Sequence, residues 1–267
     1  MMTNVANFKH PEFLVSVDWL LENLEDPNLR IYDCTAHLIP HPTETYTIGS
    51  GKGDYEKAHI PGADFLDLQQ ELSNNTSKLR FTFPSAEHFS KAIGAHGLSN
   101  DNQAILYSTT SPQWATRIWW MLRAFGFDNA KVLDGGLIRW VQKGYPTSTI
   151  PSTYPEQSFT AKPRTGLIIQ KSEVLEGIHE SNTCIINALS QEQHIGVGGR
   201  TYGRPGRIKD SENVPTTELI DPETNEFYPA AVIAERFASV GTQSSDRVLT
   251  YCGGGIAASA TAFLLTM

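Results

Sequence analysis

Two stretches of this 267-residue chain repeat each other without gaps. Displaced by 154 positions, Leu14, Leu20, Leu21, Leu24 and Ile31 fall on Ile168, Val174, Leu175, Ile178 and Ile185. Displaced by 144, Ala86, Phe89, Ile93, Gly97, Ile105, Tyr107 and Ser108 fall on Ala230, Ile233, Phe237, Gly241, Leu249, Tyr251 and Cys252. Apolar spacing alone could coincide in two unrelated units. The paired glycines and tyrosines inside one ungapped run make them two copies of a single unit.

Within the first copy, helix-period segments alternate with short apolar runs. Residues 14–24, 85–97, 114–125 and 137–143 read as helices; Ser85 is the cap of the second and Gly97 its close. Asp18 reads as a cap or first-turn acid of the first helix. Residues 29–34, 104–107 and 131–134 read as strands, residues 64–68 as a short extended piece, and residues 35–58 as a polar loop. Strands separated by helices imply an α/β fold, each unit a parallel sheet flanked by helices. Between the copies, Pro146, Pro151, Pro155 and Pro163 with several Ser and Thr residues mark an extended linker. The expected division is residues 1–145, a linker over 146–166, and residues 167–267.

The two copies differ at one turn. In the second, a strand ending at Tyr251 runs into Cys252, Gly253, Gly254 and Gly255, and then into an Ala- and Leu-rich helix. Glycines let successive backbone N–H groups point inward, and a helix N-terminus adds partial positive charge. Such a cradle suits a thiolate, so Cys252 reads as a nucleophilic or persulfide-carrying cysteine. The structural alternative is a Gly-rich turn with an incidental thiol. The first copy has Ser108 at the Cys position, followed by Thr109, Thr110, Ser111 and Pro112, and Pro112 offers no N–H. The first copy is therefore expected to be non-catalytic, a scaffold and pocket wall.

Composition narrows the partners. A net charge of −8 without a basic run argues against nucleic acid and anionic membrane surfaces. No apolar run approaches the ~20 residues of a membrane span. Residues 1–13 lack the apolar core of a signal peptide, and three widely spaced cysteines, Cys34, Cys184 and Cys252, do not form a disulfide framework, so a cytoplasmic location is expected. Cys34 and Cys184 read as buried, inert thiols; Trp119 and Trp120 as packing between domains; His59 as structural; and Asp134 as an anchor for the Gly135-Gly136 turn. No Cys/His cluster has zinc spacing.

Motifs along the whole chain resemble the tandem-domain rhodanese family, the thiosulfate and 3-mercaptopyruvate sulfurtransferases. In the first copy these are Asp54-Tyr55-Glu56, His59-Ile60-Pro61-Gly62-Ala63, the run from Arg117 to Gly126, and Leu133-Asp134-Gly135-Gly136-Leu137. In the second they are Gly206-Arg207-Ile208, Asn213-Val214-Pro215 and Tyr251-Cys252-Gly253-Gly254-Gly255. The resemblance implies two tandem rhodanese-like domains and a double displacement. Cys252 takes a sulfane sulfur from thiosulfate or 3-mercaptopyruvate and passes it to a thiophilic acceptor such as cyanide or a thiol. It implies an active-site loop of Gly253, Gly254, Gly255, Ile256 and Ala257, donor binding by Arg200 and Arg204, and no metal or organic cofactor. Partners would be a small-molecule donor and acceptor; the oligomeric state is open.

Departures from the family pattern bear on the donor. Thiosulfate-specific members carry cations straight after the cysteine, where this chain has Gly253 and Gly254. Mercaptopyruvate-type members have a Gly-Ser-Gly turn supported by His and Asp. Here Gly254 stands at the Ser position, Phe81 at the His position and Gln69 at the Asp position. Asn187 and Leu189 replace the Asp and Arg usual in the second copy. A related phosphatase or arsenate reductase would need a longer loop ending in arginine, and no Arg follows Cys252. The remaining rival is a persulfide carrier or interaction module whose partner is a protein thiol.

After Ser108 the first copy continues through a helix, a strand and another helix, whereas the second has 15 residues after Cys252. The second domain is therefore expected to be truncated at its C-terminus, with an unpaired sheet edge and bare apolar surface around Phe263, Leu264 and Leu265, or to be covered by another subunit.

Overall fold

The computed structural model describes residues 7–42, 45–197 and 201–267. In the first half, a turn at Pro11–Phe13 leads into β1 (Leu14–Val15), α1 (Val17–Glu22), β2 (Leu29–Asp33), β3 (Ala36–Pro40), β4 (Tyr46–Ser50), α2 (Lys52–Lys57) and β5 (Asp64–Phe65). It continues with α3 (Ala86–Ala95), β6 (Gln103–Tyr107), α4 (Pro112–Ala124), β7 (Ala130–Leu133) and α5 (Gly136–Gln142). The second half holds α6 (Lys171–Gly177), β8 (Thr183–Asn187), α7 (Gln191–Ile195), β9 (Glu212–Asn213), α8 (Ala230–Ala238), β10 (Arg247–Tyr251) and α9 (Ile256–Thr266). The described strands form a parallel sheet in the order β1-β7-β6-β2-β5, a parallel sheet β10-β8-β9, and an antiparallel pair β3-β4.

The internal repeat of the sequence is a repeat of register. Leu29 pairs with Gln103 and Asp33 with Tyr107; at the same displacements Thr183 pairs with Arg247 and Asn187 with Tyr251. Each tyrosine hydroxyl then accepts a backbone N–H from the segment before the next strand, Ile60 to Tyr107 at 3.2 Å and Ile208 to Tyr251 at 3.0 Å. Gly97 and Gly241, at the matching helix ends, both sit in the left-handed region, with φ of 73° and 82°.

The helix boundaries follow their caps. Ser16, Ser85 and Ser111 each accept a backbone N–H at the start of α1, α3 and α4. The first helix is thus shorter than its apolar pattern: Leu14 and Val15 pair with β7, Ser16 is the cap, and Asp18 lies in the first turn. Residues 35–58 are not a loop. They hold the β3–β4 hairpin and α2. Among the described strands the hairpin pairs only with itself, and its outer residues, such as Leu38 and Ile39, are exposed, so no buried face imposes an apolar alternation.

The proline-rich stretch is tied to the first half. Ile31 N–H donates to the Tyr154 hydroxyl, which donates to the Gly62 carbonyl, and Gln157, Lys162 and Arg164 N–H groups bond carbonyls at Gly94, Phe125 and Ala124. His59 is buried between the carbonyls of Tyr55 and Ile150, a structural role. One hydrophobic core runs through both halves. Its centre is Phe263 of α9, edge-on to Trp119 of α4 at 4.8 Å and beside Phe227 at 5.8 Å. The apolar end of α9 is therefore not bare: Phe263, Leu264 and Met267 are buried, and Leu265 packs against the same core. Trp120 donates to the Leu167 carbonyl, and Asp134 accepts the Phe227 N–H at 2.9 Å, so Asp134 joins the halves besides facing its own turn. Among the described residues, no helix is long and apolar enough to cross a membrane.

Candidate active site

The half-buried edge strand β10 delivers Cys252 to the carboxyl edge of the second sheet, and α9 begins four residues later. The reversal happens at Gly255, whose φ of 83° is a conformation that side chains resist. It directs the Gly255 N–H onto Cys252 Sγ at 3.1 Å. Two further bonds fix the turn to the helix: Thr250 Oγ1 donates to the Ala258 carbonyl at 3.0 Å, and Ser259 Oγ to the Gly255 carbonyl at 2.7 Å. A half-buried thiol therefore sits where the helix N-terminus concentrates partial positive charge.

The turn opens into a cleft of ≈ 1590 Å³ between the halves, lined by Cys252, Gly253, Gly254, Ile256 and Ala257 and, across from them, by residues such as His37, Tyr46, Phe81 and Trp114. A smaller recess of ≈ 230 Å³ adjoins it and also reaches Cys252; Asn187, Arg204, Arg207 and Tyr251 line it. Of the two arginines expected to bind the donor, Arg204 lines the same recess as Cys252, on an exposed loop. Arg200 lies outside the described residues.

Each turn glycine faces a particular neighbour. A Cβ on Gly253 would lie 2.1 Å from the Tyr202 ring, so the tyrosine rests flat on that backbone. A Cβ on Gly254 would lie 3.0 Å from the Phe81 ring, and one on Gly255 3.0 Å from Arg117 Nη1. Phe81 itself has a left-handed φ of 56°, held by its N–H bond to Gln69 Oε1 and its contact with Trp114. Gly254 therefore meets an aromatic ring, and no hydroxyl–imidazole–carboxylate relay stands at these positions. Desolvation, and then Tyr46 and Cys252 nearby, push the Tyr202 hydroxyl up to about 12, so it stays protonated.

The corresponding turn of the first half is closed. Ser108 is 1% exposed, and its hydroxyl is engaged by Thr35 and by the Thr110 N–H. The Leu137 N–H caps its carbonyl. Cys34 and Cys184 are buried, and burial pushes both thiols up, Cys34 far above its ordinary value. Among the described residues, no cluster of His, Cys, Asp and Glu could hold a metal ion.

Sequence reasoning missed Tyr202 and Arg117. Tyr202 has no sequence signal. Arg117 has one, a charge in the apolar run of α4.

A profile of the rhodanese-like domain matches residues 16–143, the half without the cysteine turn. The chain is 30% identical over 281 aligned positions to thiosulfate/3-mercaptopyruvate sulfurtransferase 2 of Arabidopsis thaliana, covering 96% of this chain and 79% of that protein. It is 28% identical to the thiosulfate sulfurtransferase of Rattus norvegicus, covering 92% and 82%. The crystal structure of the 3-mercaptopyruvate sulfurtransferase SseA of Escherichia coli superposes with a TM-score of 0.80 at 29% identity, covering 95% of this chain and 93% of that one. With both halves of one parallel-sheet unit, a cysteine turn in the second and relatives that span nearly its whole length, the chain belongs to the rhodanese family of thiosulfate/3-mercaptopyruvate sulfurtransferases.

Proposed function

We propose that Cys252 is the sulfur-carrying nucleophile of this sulfurtransferase, and that residues 167–267 are the catalytic domain, joined through residues 146–166 to a non-catalytic domain of residues 1–145. The observation that carries this reading is Cys252 Sγ accepting the Gly255 N–H at the start of α9, at the floor of the cleft. The thiolate attacks the donor's sulfane sulfur. With thiosulfate the S–S bond breaks and sulfite leaves with the electron pair; with 3-mercaptopyruvate the C–S bond breaks and the pyruvate enolate leaves and takes a proton. The persulfide on Cys252 is held by the turn's backbone, Gly253 to Ala257. The acceptor, cyanide or a thiolate, then attacks the terminal sulfur and restores the Cys252 thiolate.

Donor choice follows from where the cations are. Gly253 and Gly254 bring none next to the sulfur, whereas Arg204 is offset into the recess. A sulfonate bonded directly to the transferred sulfur gains little from that offset. A carboxylate two carbons further on reaches it, and an arginine fork suits a carboxylate. This favours 3-mercaptopyruvate over thiosulfate. A protein thiol as acceptor is the second reading; the breadth of the cleft and the exposed Leu38, Leu79 and Tyr202 on its lining favour it. Three cysteines without a disulfide support a reducing, cytoplasmic setting.

The test is transfer by Cys252→Ser with both donors, with mass spectrometry of the wild type after donor exposure. Transfer is expected to vanish and one added sulfur to map to Cys252, while Cys34→Ser and Cys184→Ser retain transfer. Activity in Cys252→Ser would overturn the assignment. Arg204→Ala is expected to raise KM for 3-mercaptopyruvate more than for thiosulfate; equal effects would overturn the donor preference.

A further inference from the structure

Arg117 belongs to α4 in the first half, yet it faces the cysteine turn of the second. It is 5% exposed, and among the described residues no carboxylate pairs with it. Nη2 donates to the Phe81 carbonyl at 2.7 Å, and Nη1 reaches Ser259 Oγ at 3.5 Å. The guanidinium lies over the Phe83 ring, 4.6 Å from its centroid, and Nε is buried with no hydrogen-bond partner among the described residues. Six residues further along the same helix, Arg123 has an ordinary ion pair with Asp128. A buried cation without a counter-ion costs several kcal/mol, which proteins normally avoid by pairing it.

The neighbour on the other side is Gly255. The Arg117 Nη1 lies 3.0 Å from where a Gly255 Cβ would stand, and Ser259 Oγ links it to the Gly255 carbonyl. The N–H of that same Gly255 holds Cys252 Sγ. Burial pulls the guanidinium down to about 10, and negative charge at Cys252 is what acts in the opposite direction.

We propose that Arg117 is a positioning residue for sulfur transfer: the first half's buried cation is the counter-ion of the second half's cysteine turn, holding Gly255 on the sulfur and compensating the thiolate and persulfide charge. This rests on Cys252 being the persulfide carrier. Arg117 does not touch the donor, so it acts on the anion through Gly255. The other charged or titratable groups around the sulfur are Tyr202, Arg204 and Arg207 on its own side, and His37, His41, Tyr46, Lys78 and Arg80 on the cleft wall opposite. The hydrogen bonds of Arg117 go to the Phe81 carbonyl and Ser259 Oγ, so the contrast between Arg117→Lys and Arg117→Met, which both lose the guanidinium, reports on its charge.

The test compares wild type, Arg117→Lys and Arg117→Met by the pH dependence of Cys252 alkylation with iodoacetamide, read at Cys252 by mass spectrometry, alongside thermal unfolding. Arg117→Met is expected to move the alkylation profile to higher pH and to slow alkylation about tenfold near neutrality. Arg117→Lys is expected to keep most of the wild-type profile. A purely structural arginine would lower Tm in Arg117→Met and leave the profile where it was, which would overturn the proposal. A second measurement needs no variant: the Arg117 Nε–H resonance of the full-length wild type should shift when Cys252 is alkylated, and an unmoved resonance would equally overturn it. If no sulfur is found on Cys252, the nucleophile assignment fails whatever Arg117 does. If the sulfur is there and the profile stays put, only the role of Arg117 fails.

Discussion

Gly253→Ala asks whether one missing methyl group sets the aromatic cover over the cysteine turn. Gly253 is not among the residues with positive φ, so its backbone accepts alanine without strain. The obstruction is the Tyr202 ring, with Cζ 2.1 Å and Cε1 and Cε2 2.3 Å from the new Cβ. Carbon atoms sit at about 3.5–4.0 Å in van der Waals contact, so the ring must lift by more than ~1 Å or swing off the turn. Tyr202 is 44% exposed, so its ring has solvent to swing into. A tyrosine covers about 150–250 Å² when buried, so somewhat over half corresponds to roughly 100 Å², or ~2–3 kcal/mol at ~25 cal/mol/Å² if all cover is lost. Part of that cover comes from Tyr46, 6.1 Å away, which the substitution leaves in place. The expected loss is therefore about 1–2 kcal/mol.

The assay is a double-mutant cycle by urea unfolding on wild type, Gly253→Ala, Tyr202→Ala and the pair, with KM for each donor measured in parallel. In the Tyr202→Ala background, Gly253→Ala should cost no more than ~0.5 kcal/mol, giving a coupling near 1 kcal/mol. An equal loss in both backgrounds would refute the reasoning, since the methyl group would then be clashing with something other than the ring.

Phe263→Ala removes the aromatic centre of the joint core and should cost about 3–5 kcal/mol, read as a lower urea midpoint; a loss below 1 kcal/mol would mean that Trp119 and Phe227 do not depend on it. His96 bonds Asp64 at 2.8 Å and Glu71 at 3.2 Å; burial draws its pKa down, but the two carboxylates outweigh this and hold it at about 9, above the ordinary 6.5. A raised histidine contributes stability that is complete below about pH 6.5 and gone above about pH 9. The urea midpoint of the wild type should fall across that window, and the fall should flatten in His96→Gln; parallel curves for the two proteins would refute it.

What could be read from the sequence was whatever the chain encodes locally or twice. The displacements of 154 and 144 positions reappear as β-sheet register, because the largely buried strands β2, β6 and β8 leave apolar residues at fixed spacing. The cysteine turn was legible because strand, glycines and helix are contiguous. The β3–β4 hairpin was not: it pairs with itself at the edge of the cleft and buries little, so its residues lack a period. Tyr202 and Phe81 were beyond reach as cover for the turn, because their contacts with Gly253 and Gly254 span about 50 and 170 residues of chain.

The first half has a buried serine, Ser108, at the turn matching Cys252, and its residues line the cleft on which Cys252 opens. Helix α9 shows why both halves are needed. It buries Ile256, Ala258, Ser259, Ala260, Thr261, Phe263 and Leu264, side chains that point all round its axis. Such a helix cannot lie on a sheet with one side in water. Strand β10 covers one side, and α4 of the first half covers another, through Trp119 at the far end and Arg117 at the turn. The position of the α9 N-terminus, and with it the Gly255 N–H that holds Cys252, is therefore set jointly by the two halves. Perturbing the α4 surface at Trp119 or Arg117 should consequently alter the reactivity of a cysteine that neither residue adjoins in sequence, whereas equal burial lost on the outer face of the first half should alter stability alone.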